Sequence, residues 1–222
     1  MKYCQGPDPE TKKPNFVAPP KACDSHCHVF GPAANFPFAE GRFYPPPDSP
    51  FEAMQGLQKT LGIERAVIVQ ATCHGTDNSA TLDAIARSEG RYRGGAIVDD
   101  SFSDDDFKRL DDGGMRGIRF SFARHIGNAP DFTLVRRITE RVAPLGWHVV
   151  IYMEAPDIVE NAPVLSDLPL PVVIDHMGRV KTKDGVGQEA FQLLLGLLRD
   201  QDDFWVKICG AERISSGGAP YE

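Results

Sequence analysis

Short apolar runs and helical stripes take turns along this chain from Ala22 to its end. The series opens with Asp24-Ser25-His26-Cys27-His28-Val29-Phe30. Strand side chains alternate between faces, so as a strand this stretch sets Asp24, His26 and His28 on one side and Ser25 and Cys27 on the other. Phe51, Met54, Leu57 and Leu61 then share a helical face, with Gly62 placed to close the helix. Ala66 to Gln70 is the β-branched apolar run expected of a buried parallel strand. Leu82, Ile85 and Ala86 mark a second helix ending at Gly90, and Gly95 to Val98 a third strand. Ser103 to Leu110 reads as a helix whose first turn carries the acids that a helix dipole favours there. Met115 to Phe122 is the fourth strand, and Leu134, Ile138 and Val142 give a helix ended by Gly146. Trp147 to Met153, Val172 to His176 and Phe204 to Cys209 supply strands five to seven. Between them lie helices marked by Ile158, Ala162 and Leu165 and by Phe191, Leu194, Leu195 and Leu198.

Strand and helix alternate throughout, which predicts an α/β fold with a parallel sheet covered by helices. An open doubly wound sheet and a (β/α)8 barrel both satisfy the pattern. Neither GxGxxG nor GxxxxGK[ST] occurs, which removes the commonest reason for the open sheet. Seven strands at similar spacing favour a TIM-type (β/α)8 barrel that is incomplete, with the eighth strand missing beyond Glu222. Residues 1–21, polar and Pro-rich, are expected to be an N-terminal extension, and residues 22–222 the barrel domain. The Gly/Pro/Phe-rich stretch from Gly31 to Pro50 is long for a connector. It reads as a lid, or as a cover packed through Phe36, Phe38, Phe43 and Tyr44.

A chain of 222 residues buries a full core, and a net charge of −7 gives no basic footprint, so nucleic acid is not expected as a partner. Five scattered cysteines without a CxxC pair suit reduced cytoplasmic thiols. The first twenty residues are polar and no later stretch has the apolar length of a bilayer span, so neither a leader nor a membrane association is expected.

In parallel α/β folds chemistry gathers at the carboxyl ends of the strands. There the sequence offers His26 and His28, then Gln70, Thr72 and His74 with Gly75-Thr76-Asp77-Asn78, then Arg119 and Ser121 with Arg124 beyond. Tyr152 and Glu154, His176 and Arg179, and finally Arg213 complete the series. Guanidinium groups bind carboxylates through paired, charge-assisted hydrogen bonds, so four arginines on one rim of an acidic protein point to an anionic, polycarboxylate substrate. His125 and His148 are read as structural. Cys27 and Cys73 are weak nucleophile candidates, and no GxSxG elbow is present. His26, His28 and His176 have the residue types of a three-ligand zinc site, or of an imidazole set that polarises a carbonyl. Tyr152 ends the fifth strand and Arg119 lies on the fourth, where a two-metal site needs ligands, and neighbouring arginines disfavour a cation. No metal and no cofactor are therefore expected.

The motifs Asp24-Ser25-His26-Cys27-His28-Val29-Phe30-Gly31-Pro32, Val67 to Asn78, Gly114 to Phe120, Gly146 to Tyr152 and Ile174-Asp175-His176-Met177-Gly178-Arg179 together resemble those of the 2-pyrone-4,6-dicarboxylate hydrolases. These are lactonases of the amidohydrolase superfamily, and the likeness runs in order from about Ala22 to about Arg213. The resemblance implies a distorted (β/α)8 barrel that hydrolyses a carboxylated cyclic ester without a divalent metal, in bacterial breakdown of lignin-derived aromatics. It also implies that His26, His28 and His176 polarise the lactone carbonyl, and that Thr72, Arg119, Arg124, Tyr152, Arg179 and Arg213 hold the substrate. Thr72 stands where a serine is usual. The loop after Phe122 is a residue shorter than the pattern, so His125 competes with Arg124 for its place. The family's general base is an aspartate closing the eighth strand, and the chain is expected to be a C-terminal truncation without it. Two alternatives stand beside this reading: a zinc-dependent hydrolase or decarboxylase of the same superfamily, and a non-catalytic dicarboxylate-binding fragment. Oligomeric state is not fixed by these patterns.

Overall fold

Residues 5–123, 129–219 and 221 are described by a computed structural model of the protein. Strands β1 (Cys23–Cys27), β2 (Arg65–Val69), β3 (Tyr92–Ala96), β4 (Met115–Ser121), β5 (His148–Tyr152), β6 (Val172–Ile174) and β7 (Phe204–Val206) alternate with helices. The helices are α1 (Phe51–Leu61), α2 (Ser79–Ala86), α3 (Asp104–Asp112), α4 (Phe132–Val142), α5 (Ala155–Ser166), α6 (Glu189–Asp200) and α7 (Ala211–Ile214). Among the described residues this makes seven β/α units, one strand short of a complete (β/α)8 barrel.

The chain forms two compact units, Met1–Gly117 and Ile118–Glu222, and the boundary falls inside β4. In the first unit β1, β2 and β3 are parallel neighbours, with Asp24 opposite Ala66 and Ala66 opposite Tyr92. In the second, β5, β6 and β7 run parallel, with Val149 opposite Val172 and Val172 opposite Phe204. Each unit buries its own apolar set: Ile68, Val69, Tyr92 and Phe107 in the first, Ile138, Trp147, Ile151, Ile158 and Ile174 in the second.

Local chemistry accounts for most element limits. α1 spans the stretch its periodicity predicts and ends where Gly62 adopts φ +72°. Leu57, expected on its inner face, is exposed, and Gln58 is buried in the helix. α3 starts at a capping box: Ser103 accepts from the Asp106 backbone N–H while Asp106 accepts from that of Ser103. β3 begins three residues earlier than expected. Its Gly94 packs against Met115, where a Cβ would come within 2.4 Å of the sulfur, so this glycine permits close approach rather than breaking the strand. β6 and β7 stop short of the expected His176 and Cys209, and α7 was not legible. The Gly31–Pro50 stretch is closed at its base by paired backbone bonds between Phe30 and Ser49, at 2.9 and 2.8 Å. Among the described residues no helix has the length and apolarity to cross a membrane.

Candidate active site

In the first unit the register of β1 shifts between Asp24 and Cys27, and the strand ends before His28. The Nε2 atoms of His26 and His28 lie 3.3 Å apart, with the rings edge to face at 4.9 Å. His28 Nδ1 is 2.7 Å from the Val69 carbonyl oxygen. That oxygen only accepts, so Nδ1 carries a proton and donates. Cys27 turns the other way, its sulfur near Met54 Sδ and the Val67 carbonyl. Asp24 accepts the backbone N–H of His26 at 2.9 Å, so it serves the geometry of the pair.

Thr72 sits in a 3-10 turn, Thr72–His74, just past β2. Burial pushes the Tyr44 hydroxyl, on the long loop, up to about 12. Gln70 and His74, both buried, prove to be scaffold. Gln70 accepts from the Thr81 hydroxyl at 2.6 Å and donates to the Asp77 carbonyl at 2.7 Å. His74 accepts the Gly31 N–H at Nε2 (3.1 Å) and donates from Nδ1 to the Pro37 carbonyl (3.1 Å), tying the long loop to the end of β2. Burial also pushes the Cys73 thiol up, the reverse of what a nucleophile needs.

The second unit is built around Tyr152, the last residue of β5 and 2% exposed. The guanidinium carbons of Arg119, Arg179 and Arg213 lie 5.4, 5.8 and 6.0 Å from the centre of its ring. The His176 ring packs edge to face on it at 5.3 Å. Its hydroxyl accepts from Arg179 Nη1 at 2.6 Å and, more weakly, from Arg213 Nη1 at 3.5 Å. A π face and a phenolic oxygen thus gather three cations whose mutual repulsion would otherwise spread them. Residues from β4, from the end of β5, from the turn after β6 and from α7 meet here, so five of the expected site residues are brought together. Arg124 and His125 lie outside the described residues.

Beneath them Asp175, fully buried, pairs with Arg119 Nε at 3.2 Å through one oxygen and with Lys207 Nζ at 3.1 Å through the other. Lys207 was not singled out in the sequence, although a lysine inside the apolar run Phe204-Trp205-Val206-Lys207-Ile208 is a signal of a buried ion pair. Glu154 is paired with Arg179 at 3.2 Å. After β6 the chain turns with the wrong hand: His176, Met177, Gly178 and Arg179 all have φ between +49° and +60°. Left-handed backbone costs about 1–2 kcal/mol per residue with a side chain, and such strain is kept where it aims functional groups. At Gly178 a Cβ would come within 2.4 Å of Ile158 Cδ1, so both the backbone and the packing require glycine.

As to a metal, the carboxylate of Asp175 has both oxygens on cations and is not a fitting ligand. The His26 and His28 pair has the spacing and the anchored Nδ1 that ligands use, and those two residues alone fall short of a three-ligand site.

Comparison with known proteins adds four findings. Residues 23–222 match the family model described as amidohydrolase. The chain is 45% identical over 206 residues to a 2-pyrone-4,6-dicarboxylate hydrolase of Comamonas testosteroni, covering 93% of this chain and 68% of that one. It is 41% identical over 221 residues to a 4-sulfomuconolactone hydrolase of Rhizobium radiobacter, covering 99% and 73%. Among solved structures, a probable 2-pyrone-4,6-dicarboxylic acid hydrolase of Acinetobacter baumannii with citric acid bound superposes with a TM-score of 0.77. That match has 26% identity and covers 89% of this chain and 73% of that one.

Proposed function

The chain belongs to the amidohydrolase family, and from that premise we propose that it hydrolyses a lactone bearing carboxylates, 2-pyrone-4,6-dicarboxylate or a close relative. The observation that carries this reading is the cluster at Tyr152, where three guanidinium groups surround one phenol beside an imidazole. Such a cluster suits a substrate with several anionic groups: each arginine offers paired donors to a carboxylate, and the buried surroundings strengthen them. The lactone and sulfolactone named for the two relatives are anions of this kind.

In the mechanism we assign, Arg119, Arg124, Arg179 and Arg213, with Tyr152 and Thr72, hold the substrate. His26, His28 and His176 polarise its ring carbonyl and stabilise the charge that grows on that oxygen when water adds. The tetrahedral intermediate then expels the ring oxygen, the C–O bond of the ester breaks, and one further carboxylate is produced. Glu154 and Asp175 are not assigned the proton of the attacking water, because their carboxylates are already engaged by Arg179 and by Arg119 and Lys207. No step is assigned to a metal or cofactor, and the paired oxygens of Asp175 support that choice. Cys23, Cys27, Cys73 and Cys209 form no disulfide, which supports a cytoplasmic setting. The acidic charge of −7 supports a small-molecule partner rather than nucleic acid.

A hydrolysis assay on 2-pyrone-4,6-dicarboxylate, run with calorimetric binding, tests the reading. With no base assigned for the attacking water, turnover is expected to be slow and unchanged by chelator, and Arg179→Met should raise KM roughly 10- to 100-fold, as loss of a charge-assisted bond of about 1.5–3 kcal/mol implies. Binding without turnover would make the chain a dicarboxylate-binding protein instead. The anchored His26 and His28 pair keeps a zinc enzyme of the same family as the second reading. Stoichiometric zinc with chelator-sensitive activity would establish it.

A further inference from the structure

Each of the three arginines around Tyr152 has a carboxylate at its Nε, and the three carboxylates differ in how firmly they are held. Asp175, on Arg119, is fully buried. Glu154 lies 3.2 Å from Arg179 and Glu212 3.2 Å from Arg213, with side chains 36% and 56% exposed. We propose that Glu154 is a specificity-determining residue: a counter-ion that occupies Arg179 in the free protein and turns out to solvent when a carboxylate of the substrate takes its place. The inference rests on the polycarboxylate reading given above and deepens it, by naming the residue that sets how strongly the site holds one anion against another.

Three observations support the exchange. The contact with Glu154 is an ion pair without a hydrogen bond: Arg179 Nε is buried, and no acceptor meets it with hydrogen-bonding geometry. A buried charged donor left in that state is costly, and a carboxylate in a better position satisfies it. Glu154 is also not what aims Arg179. That side chain is fixed by the bond from its Nη1 to the Tyr152 hydroxyl at 2.6 Å, and its backbone by the left-handed turn after β6. The third observation is charge. Arg119, Arg179, Arg213 and Lys207 face Asp175, Glu154 and Glu212, four positive groups against three negative. A ligand with two carboxylates that replaces Glu154 brings the count to four against four.

The exchange runs toward the ligand, because an ion pair that reaches water contributes little, whereas an aligned bond between guanidinium and carboxylate is among the strong ones. Its cost is subtracted from the affinity of every anion that needs Arg179. Hydrolysis leaves a product with one carboxylate more than the substrate, so a carboxylate waiting beside Arg179 repels the product harder and favours its departure. Glu154 moves to solvent in this scheme, and no proton transfer is assigned to it.

Calorimetric titration of the full chain with 2-pyrone-4,6-dicarboxylate, and with citrate as a second polycarboxylate, tests this in the parent, Glu154→Gln and Glu154→Ala proteins. Circular dichroism checks that each is folded. Glu154→Gln keeps the size of the side chain and leaves the bond from its own backbone N–H to Asp157, at 2.9 Å, in place. Kd is expected to fall about 3- to 10-fold in both variants, and the gain to shrink in about 0.5 M salt, where repulsion between charges is screened. A merely structural contact, when lost, would not tighten binding. Equal or weaker binding by folded Glu154→Gln would overturn the proposal, and weaker binding would make Glu154 the residue that aims Arg179. A parent protein that binds citrate and leaves the pyrone dicarboxylate unbound would refute the substrate reading, while the citrate titrations would still decide the exchange. Failure of parent and variants alike to bind either anion would overturn both.

Discussion

At the scale of single residues, the energetic centre of the second unit is Asp175, fully buried between Arg119 and Lys207. Two cations on one carboxylate make the roles unequal. Replacing Lys207 by Met leaves a neutral Arg119–Asp175 pair. Replacing Asp175 by Asn leaves Arg119 and Lys207 facing each other with no carboxylate between them, and removing one partner of a buried pair costs about 3–5 kcal/mol. Asp175→Asn is therefore expected to lower stability in urea melts clearly more than Lys207→Met, and the reverse order would show that the cluster is not held by its central charge. Sequence reasoning reached the residues that gather at Tyr152 better than their supports. The arginines, Tyr152 and the histidines announce themselves by type and by place at strand ends. Gln70 and His74 have the same look, and only their bonds to Asp77, Gly31 and Pro37 reveal them as scaffold.

At the scale of elements, the helix starts and stops were legible wherever one residue decides them. Gly62 closes α1 and Ser103 opens α3, each where the sequence places it. The capping box at α3 also gives a pH signature. Hydrogen bonds from the Ser103 side chain and backbone, with Arg109 nearby, hold the Asp106 carboxyl at about 2, below the usual range. A depressed carboxyl adds stability above its unfolded-state value and loses it as pH falls through the folded one. The thermal midpoints of the parent and of Asp106→Asn should thus differ by a constant amount above about pH 4 and converge toward pH 2. A gap that persists at pH 2 would mean that Asp106 acts through packing alone. The limits of β3, β6 and β7 were not legible, for two reasons. Gly94 and Gly95 belong to a strand because a neighbour needs their space. Beyond Ile174 the backbone turns left-handed on residues, His176 and Met177, that favour no such turn.

For the molecule as a whole, the order of β/α units follows from periodicity, whereas the pattern of burial does not. α6 and β7 carry an apolar groove of about 450 Å³ lined by residues such as Val186, Leu195, Val206 and Ile208. Val186 is 73% and Ile208 86% exposed, although Ile208 falls in the expected strand Phe204 to Cys209. Apolar surface of this kind binds hydrophobic dyes. The folded protein should enhance anilinonaphthalene sulfonate fluorescence, and Val186→Lys together with Ile208→Lys should reduce it severalfold without altering the circular dichroism. Equal fluorescence in the double variant would locate the dye elsewhere. The left-handed turn after β6 has a consequence at this scale as well. It holds a reserve of unspent stability: Asn tolerates that conformation better than Met, so heat resistance can be gained at Met177. Asn there would keep the same left-handed backbone, so the gain should leave His176 and Arg179 aimed as they are.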